Sequence, residues 1–154
     1  AEFVKEALVT LYDISEEALT FAKLNIERFK LSKRINIGHS DLLQVAINQH
    51  KKFEIIVSNP PYIREEVIPT LMDDVKGYEP FIALCGGEDG LDFYRRITKE
   101  SIIVLEKGGL LAFEIGYDQK EAVTDILLKS GFSNIECIKD LSGNDRVIKA
   151  TLVD

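Results

Sequence analysis

Short apolar runs alternate with longer stretches of helical period along this chain. Leu8 to Tyr12 is a brief apolar run closed by Asp13. Ser15 to Lys30 then places Leu19, Ala22, Ile26 and Phe29 at helical spacing with charges between them, which predicts a strand followed by an amphipathic helix. Arg34 to Gly38 reads as a weaker strand and Leu42 to Gln49 as a short helix. The run from Phe53 to Val57 is rich in β-branched residues, as in a buried strand, and Asn59-Pro60-Pro61 ends it. Each proline fixes φ and removes a backbone donor, so the strand cannot continue.

From Tyr62 to Gly90 the pattern is irregular, punctuated by Pro69, Gly77, Pro80, Gly86, Gly87 and Gly90. A segment of that length between regular elements predicts a functional stretch rather than a plain connection. Leu91 to Glu106 reads as a helix stopped by Lys107-Gly108-Gly109, a basic last turn before a glycine cap. Leu110 to Ile115 is a second buried strand, Asp118 to Ser130 a helix, and Asn134 to Ile138 and Val147 to Val153 two closing strands. Ala1 to Glu6 reads as the last turns of a helix. Strands and helices alternate until the final pair, which predicts an α/β fold with a mostly parallel sheet and an antiparallel terminal hairpin.

At 154 residues and 45% hydrophobic, the chain suits one globular domain with an ordinary core. Lys and Arg number 19 against 26 Asp and Glu, a formal charge of −7. An acidic surface repels phosphate backbones, so direct nucleic-acid binding is not expected. Cys85 and Cys137 are too few for a disulfide framework or a zinc site, and His39 and His50 have no ligand partners at metal spacing. With no membrane-length apolar run and no signal pattern, a cytoplasmic protein is expected.

The chemistry concentrates at Asn59-Pro60-Pro61-Tyr62. Asn-Pro alone is a common turn signal, but a strand leading straight into it presents Asn59 at a strand's carboxyl end, where open α/β sheets bind ligands. The Asn59 side-chain oxygen and the Pro60 carbonyl, stiffened by two adjacent rings, are both acceptors. Together they can take the two hydrogens of a planar amino group, while Tyr62 offers an aromatic face. Asp13 and Asp41 each follow a strand. Asp13 can accept from both hydroxyls of a ribose, or can make a helix cap with Ser15 or Glu16. Asp41 can accept from an exocyclic adenine amine or can start a helix. In sequence they outline an adenosine site.

At this loop the chain resembles the amino-methyltransferases, which hold a planar nitrogen in line with the methyl of S-adenosylmethionine. The resemblance extends to one family. Asn59-Pro60-Pro61-Tyr62 is followed by Tyr78-Glu79-Pro80-x-x-Ala83-Leu84-x-Gly86-Gly87-x-Asp89-Gly90-Leu91, then Glu114-x-Gly116, then Asn144-Asp145-Arg146-Val147. This order is similar to that of the protein-(glutamine-N5) methyltransferases acting on peptide-chain release factors. It implies a Rossmann-like class I methyltransferase sheet, S-adenosylmethionine as cofactor, and class-1 release factors as partners, methylated at the glutamine of a Gly-Gly-Gln loop. Catalytic residues would be Asn59, Pro60, Pro61 and Tyr62, and cofactor-binding residues Asp13, Asp41, Leu42 and Asn59.

Members of that family also carry an Asp-x-Gly-x-Gly-x-Gly loop after the first strand and a small helical amino-terminal domain. The first glycine here is Gly38. The resemblance therefore implies that residues 1–154 are the carboxyl-terminal part of the catalytic domain, without its first strand, and that alone they bind the cofactor poorly. Alternative readings are glutamine methylation of a large-subunit ribosomal protein, adenine-N6 methylation of nucleic acid, and a non-catalytic binding module. Oligomeric state is not legible in the sequence.

Overall fold

A computed structural model describes residues 1–72 and 80–153. Gly77, Tyr78 and Glu79 lie outside the described residues. The chain divides into two compact units, Ala1–Lys51 and Lys52–Asp154.

In the first unit, β1 (Val9–Asp13) pairs in parallel with β2 (Ile35–His39), from Val9↔Ile35 to Asp13↔His39. The crossover between them is α1 (Glu16–Arg28), and α2 (Gln44–Asn48) follows β2. Ser15 caps α1: its hydroxyl accepts the N–H of Ala18 at 3.1 Å, satisfying one of the unpaired donors of the first turn. Ile26 and Ala46 are the buried apolar residues of this unit. Ala1 to Glu6 does not form the expected helix end. Its residues make a turn in which the N–H of Ala7 reaches the carbonyl of Val4 at 3.2 Å, and a lone turn does not repay helix nucleation.

The second unit carries a four-stranded sheet in the order β3-β4-β6-β5: β3 (Phe53–Ser58), β4 (Leu105–Glu114), β5 (Phe132–Lys139) and β6 (Asp145–Leu152). β3 and β4 are parallel, and β6 lies between β4 and β5, antiparallel to both. Antiparallel pairing thus reaches one strand beyond the expected terminal hairpin. Between β3 and β4 lie a 3-10 turn (Glu65–Thr70), the short helix α3 (Phe81–Leu84) and α4 (Asp92–Val104); α5 (Lys120–Lys129) precedes β5.

The core of this unit follows from period. Tyr94, Ile97, Thr98, Ser101 and Val104 are buried along one face of α4. Leu111 and Phe113 of β4, and Ile115 just beyond it, are buried at alternate positions. Tyr94 meets Phe113 edge-to-face, centroids 5.2 Å apart and planes at 79°, a preferred aromatic geometry.

Two expectations are corrected here. The strand at Phe53 is not buried on both faces: β3 is an edge of its sheet, and it exposes Ile55 and Val57 while burying Ile56. Nor does Lys107-Gly108-Gly109 cap a helix. α4 stops at Val104, and those residues form an irregularity within β4, where the register jumps from Phe53↔Leu105 to Ile55↔Leu110. Gly108, at φ 73°, supplies the left-handed backbone this needs.

Candidate active site

β3 delivers the Asn-Pro-Pro-Tyr loop. Ser58 stands opposite Phe113 in the parallel ladder, so Asn59 and Glu114 each lie one residue beyond the last pair, at the same carboxyl edge. Asn59 is exposed, Pro60 buried, and Pro61 and Tyr62 are half-buried. Among the described residues, neither the Asn59 carboxamide nor the Pro60 carbonyl makes a hydrogen bond. The described residues thus take up neither acceptor.

The far end of the loop is tied to the Gly86–Gly90 segment. Ile63 forms a parallel bridge with Cys85: its N–H donates to the Leu84 carbonyl at 3.0 Å, and the Gly86 N–H donates to its carbonyl at 2.8 Å. The Glu65 N–H donates to the Gly87 carbonyl at 3.0 Å. Asp89 accepts from the Leu91 N–H at 3.1 Å and from Arg95 Nη1 at 3.0 Å, which fixes the start of α4. Hydrogen bonding by Arg95 holds the Asp89 carboxyl below the usual carboxylate range. Gly86-Gly87-Glu88-Asp89-Gly90 thus forms a turn that leads into α4.

Gln119, which sequence reasoning passed over, sits at the middle of this region. It is 4% exposed. Its amide nitrogen donates to the carbonyls of Tyr62 at 3.0 Å and Gly90 at 3.2 Å. Its oxygen accepts from the Gly116 N–H at 3.0 Å and the Tyr94 hydroxyl at 3.3 Å. The available signal was the glycines, because three of them leave room only for this packing. A Cβ at Gly90 would lie 2.5 Å from the Tyr62 oxygen, one at Gly86 2.8 Å from Tyr62 Cα, and one at Gly116 2.8 Å from Gln119 Oε1. Asp118 does not start α5 as expected. That helix begins at Lys120, and Asp118 pairs with Arg64 at 3.0 Å.

The single hydroxyl hydrogen of Tyr94 is shared between the Gln119 oxygen and the nearer Glu114 carbonyl, at 3.0 Å. Burial, followed by the neighbouring Tyr62 and Glu114, pushes its phenol above the ordinary value, so Tyr94 acts as a neutral donor. Arg146 and Asp145 secure the final hairpin. Arg146 Nη1 donates to the Ile115 carbonyl at 3.2 Å, and its Nε and Nη2 each lie 3.3 Å from Asp140 Oδ2. Asp145 lies 3.6 Å from Lys139 Nζ.

In the first unit, Asp13 closes β1. Its Oδ1 accepts the Ser15 N–H at 2.8 Å, a local turn leading into α1. Its second oxygen takes no hydrogen bond among the described residues. Asp13 thus serves the turn with one oxygen and offers the other at a strand end. His39 Nε2 lies 2.9 Å from the Ile14 carbonyl. Asp41 is exposed, and Ser40 takes part in starting α2, its hydroxyl accepting the Val45 N–H at 3.2 Å. Leu42 has φ 50°, a left-handed backbone that leucine seldom adopts, and such outliers concentrate at ligand sites. A groove of about 580 Å³ lined by Glu16, Leu19, Lys23, Ile26 and Ile37 contains none of these residues.

Residues 1–73 match the family model described as "Methyltransferase small domain". The chain is 57% identical to the release factor glutamine methyltransferase of Clostridium botulinum over 142 residues, 92% of this chain and 50% of that protein. It is 53% identical to that of Clostridium acetobutylicum over 150 residues, 97% of this chain and 53% of that protein. Among solved structures it resembles the release-factor-specific protein-(glutamine-N5) methyltransferase from Alicyclobacillus acidocaldarius, with TM-score 0.52 and 23% identity, covering 96% of this chain and 81% of that one. That likeness shows the class I methyltransferase fold. The chain spans about half the length of the curated relatives it matches. Along nearly its whole length the chain is similar in sequence to about half of each of these release factor glutamine methyltransferases.

Proposed function

We propose that these residues form the carboxyl-terminal part of the catalytic domain of an S-adenosylmethionine-dependent protein-(glutamine-N5) methyltransferase. Its substrate is the glutamine of the Gly-Gly-Gln loop in class-1 peptide chain release factors. One observation carries the reading: Asn59 Oδ1 and the Pro60 carbonyl stand at the carboxyl end of β3 without hydrogen bonds to the described residues.

A carboxamide nitrogen is a poor nucleophile because its lone pair is shared with the carbonyl. Catalysis must then come from positioning and electrostatics. Asn59 and Pro60 take one amide hydrogen each and fix the plane of the group. Their oxygens interact more strongly as positive charge grows on the nitrogen, so they favour the transition state over the ground state. Pro61 limits the backbone freedom of the acceptor pair, and Tyr62 offers an aromatic face to the substrate. No general base is needed before transfer, since the proton can leave afterwards.

The residues of the first unit fit the nucleoside half of the cofactor. Asp13 offers a carboxylate oxygen at a strand end for the ribose hydroxyls, and Asp41 with the backbone of Leu42 suits the adenine. When bound, S-adenosylmethionine supplies a methyl group on a sulfonium.

The test uses the longest natural polypeptide that contains this chain. It is incubated with methyl-labelled S-adenosylmethionine and, in separate arms, a class-1 release factor, large-subunit ribosomal protein and DNA. Label on the Gly-Gly-Gln glutamine is expected. Label only on ribosomal protein or DNA overturns the substrate, and no label in any arm overturns the activity.

A further inference from the structure

We infer that Gln119 is a positioning residue for the methyl-acceptor loop, acting through the Tyr62 carbonyl; this rests on the reading of Asn59 and Pro60 as the acceptor site. Asn59, Pro60 and Pro61 run between two anchors. One is Ser58, held opposite Phe113 by the β3–β4 ladder. The other is the Tyr62 carbonyl, which accepts from Gln119 Nε2 at 3.0 Å. Two prolines leave little torsional freedom between those anchors. Fixing both ends therefore also fixes where the Pro60 carbonyl points.

The carboxamide of Gln119 suits this task because every one of its hydrogen-bonding positions is used, each toward a different segment. It reaches the loop at Tyr62, the glycine turn at Gly90, the end of β4 at Gly116 and α4 at Tyr94. A carboxamide has two donors and an oxygen that accepts twice; here both donors are used, and the oxygen takes the Gly116 N–H and a share of the Tyr94 hydroxyl hydrogen. Its burial makes each bond costly to lose. Glutamate has the same shape but, when ionised, cannot donate to the Tyr62 and Gly90 carbonyls. Leucine can make none of the four bonds. Tyr94→Phe, by contrast, removes the hydroxyl shared by the Glu114 carbonyl and the Gln119 oxygen, and leaves both Gln119 donations in place.

The experiment measures Gln119→Glu, Gln119→Leu and Tyr94→Phe against wild type in two ways. Amide exchange is followed in this 154-residue chain at Ile63, Glu65 and Gly86, whose N–H groups join the loop to the glycine turn, with Leu111 and Phe113 of β4 as internal control. Methyl transfer to a release factor is followed in the longest natural polypeptide containing the chain. Both Gln119 variants are expected to speed exchange at the three loop amides by about tenfold or more, with β4 unchanged. They should lower kcat by about tenfold or more with KM for the release factor within about twofold, since the lost contact orients rather than binds substrate. Tyr94→Phe should leave loop exchange and kcat within about threefold of wild type.

Unchanged loop exchange in the Gln119 variants overturns the inference. So does equal acceleration in β4, which marks a general structural role, and so does a loosened loop with normal kcat. If Gln119→Leu does not fold, Gln119→Glu decides. A wild type that methylates no glutamine, with the expected exchange pattern, overturns the functional reading while supporting the anchoring of the loop by Gln119.

Discussion

Gln119 and Tyr62 lie 57 residues apart in sequence and meet at 3.0 Å, a side-chain amide against a backbone carbonyl. The contact joins the start of α5 to the end of the Asn-Pro-Pro-Tyr loop. Gly90 packs against both partners and is the position where their geometry is easiest to test. Its φ is 76°, and an added Cβ would meet the Tyr62 oxygen at 2.5 Å and Gln119 Nε2 at 2.8 Å. Gly90→Ala is therefore expected to destabilise the second unit by about 1–3 kcal/mol, from left-handed strain and displacement of a buried hydrogen bond. Urea unfolding checks this.

Asn59→Ala separates chemistry from folding. The side chain is exposed and makes no hydrogen bond among the described residues, so the midpoint of thermal unfolding should not move. Turnover in the longest natural polypeptide should fall by roughly a hundredfold or more, as when one oriented polar group is lost. Labelled-cofactor kinetics give the answer, and near-normal turnover removes Asn59 from the mechanism.

Asp13 carries two roles that a pair of substitutions can split. Asn at this position keeps an oxygen for the Ser15 N–H but loses the carboxylate, whereas Ala loses both. Asp13→Ala should cost about 0.5–2 kcal/mol of stability, as when a helix-start acceptor is deleted, and Asp13→Asn much less. Both should weaken S-adenosylmethionine binding in the longest natural polypeptide, measured by calorimetry. Tight binding by Asp13→Asn removes the carboxylate from the ribose site.

The Asp89–Arg95 pair gives a pH signature. The folded carboxyl lies below its ordinary value because Arg95 hydrogen-bonds it. A depressed pKa contributes stability above the unfolded value, about 4 for aspartate. That contribution is lost as pH falls through the folded value. The stability difference between wild type and Asp89→Asn should thus be present near neutral pH and narrow in acid. It should also shrink with added salt, because both side chains are 47% exposed. A difference that stays constant down to acid pH sinks the assignment.

Much of the fold was legible because its rules are local. Helical spacing marked α1, an apolar run marked the second half of β4, and paired prolines could only end β3 and place Asn59 at its carboxyl end. Asp13 and Asp41 were likewise visible as acids following strands. The double role of Asp13 was left open by sequence and is narrowed by structure, which shows one oxygen in the turn to Ser15.

What sequence alone determined, then, is the order of most elements, and the Asn-Pro-Pro-Tyr loop with its place after a strand, since periodicity and proline chemistry act within a few residues. Only the tertiary structure decided that β6 inserts between β4 and β5, that β3 is an edge exposing Ile55 and Val57, and that Asp118 turns to Arg64. It alone brought Gln119 inward to Tyr62, Gly90 and Gly116. Those outcomes depend on hydrogen bonds and packing between segments far apart in the chain, where no local propensity selects the partner.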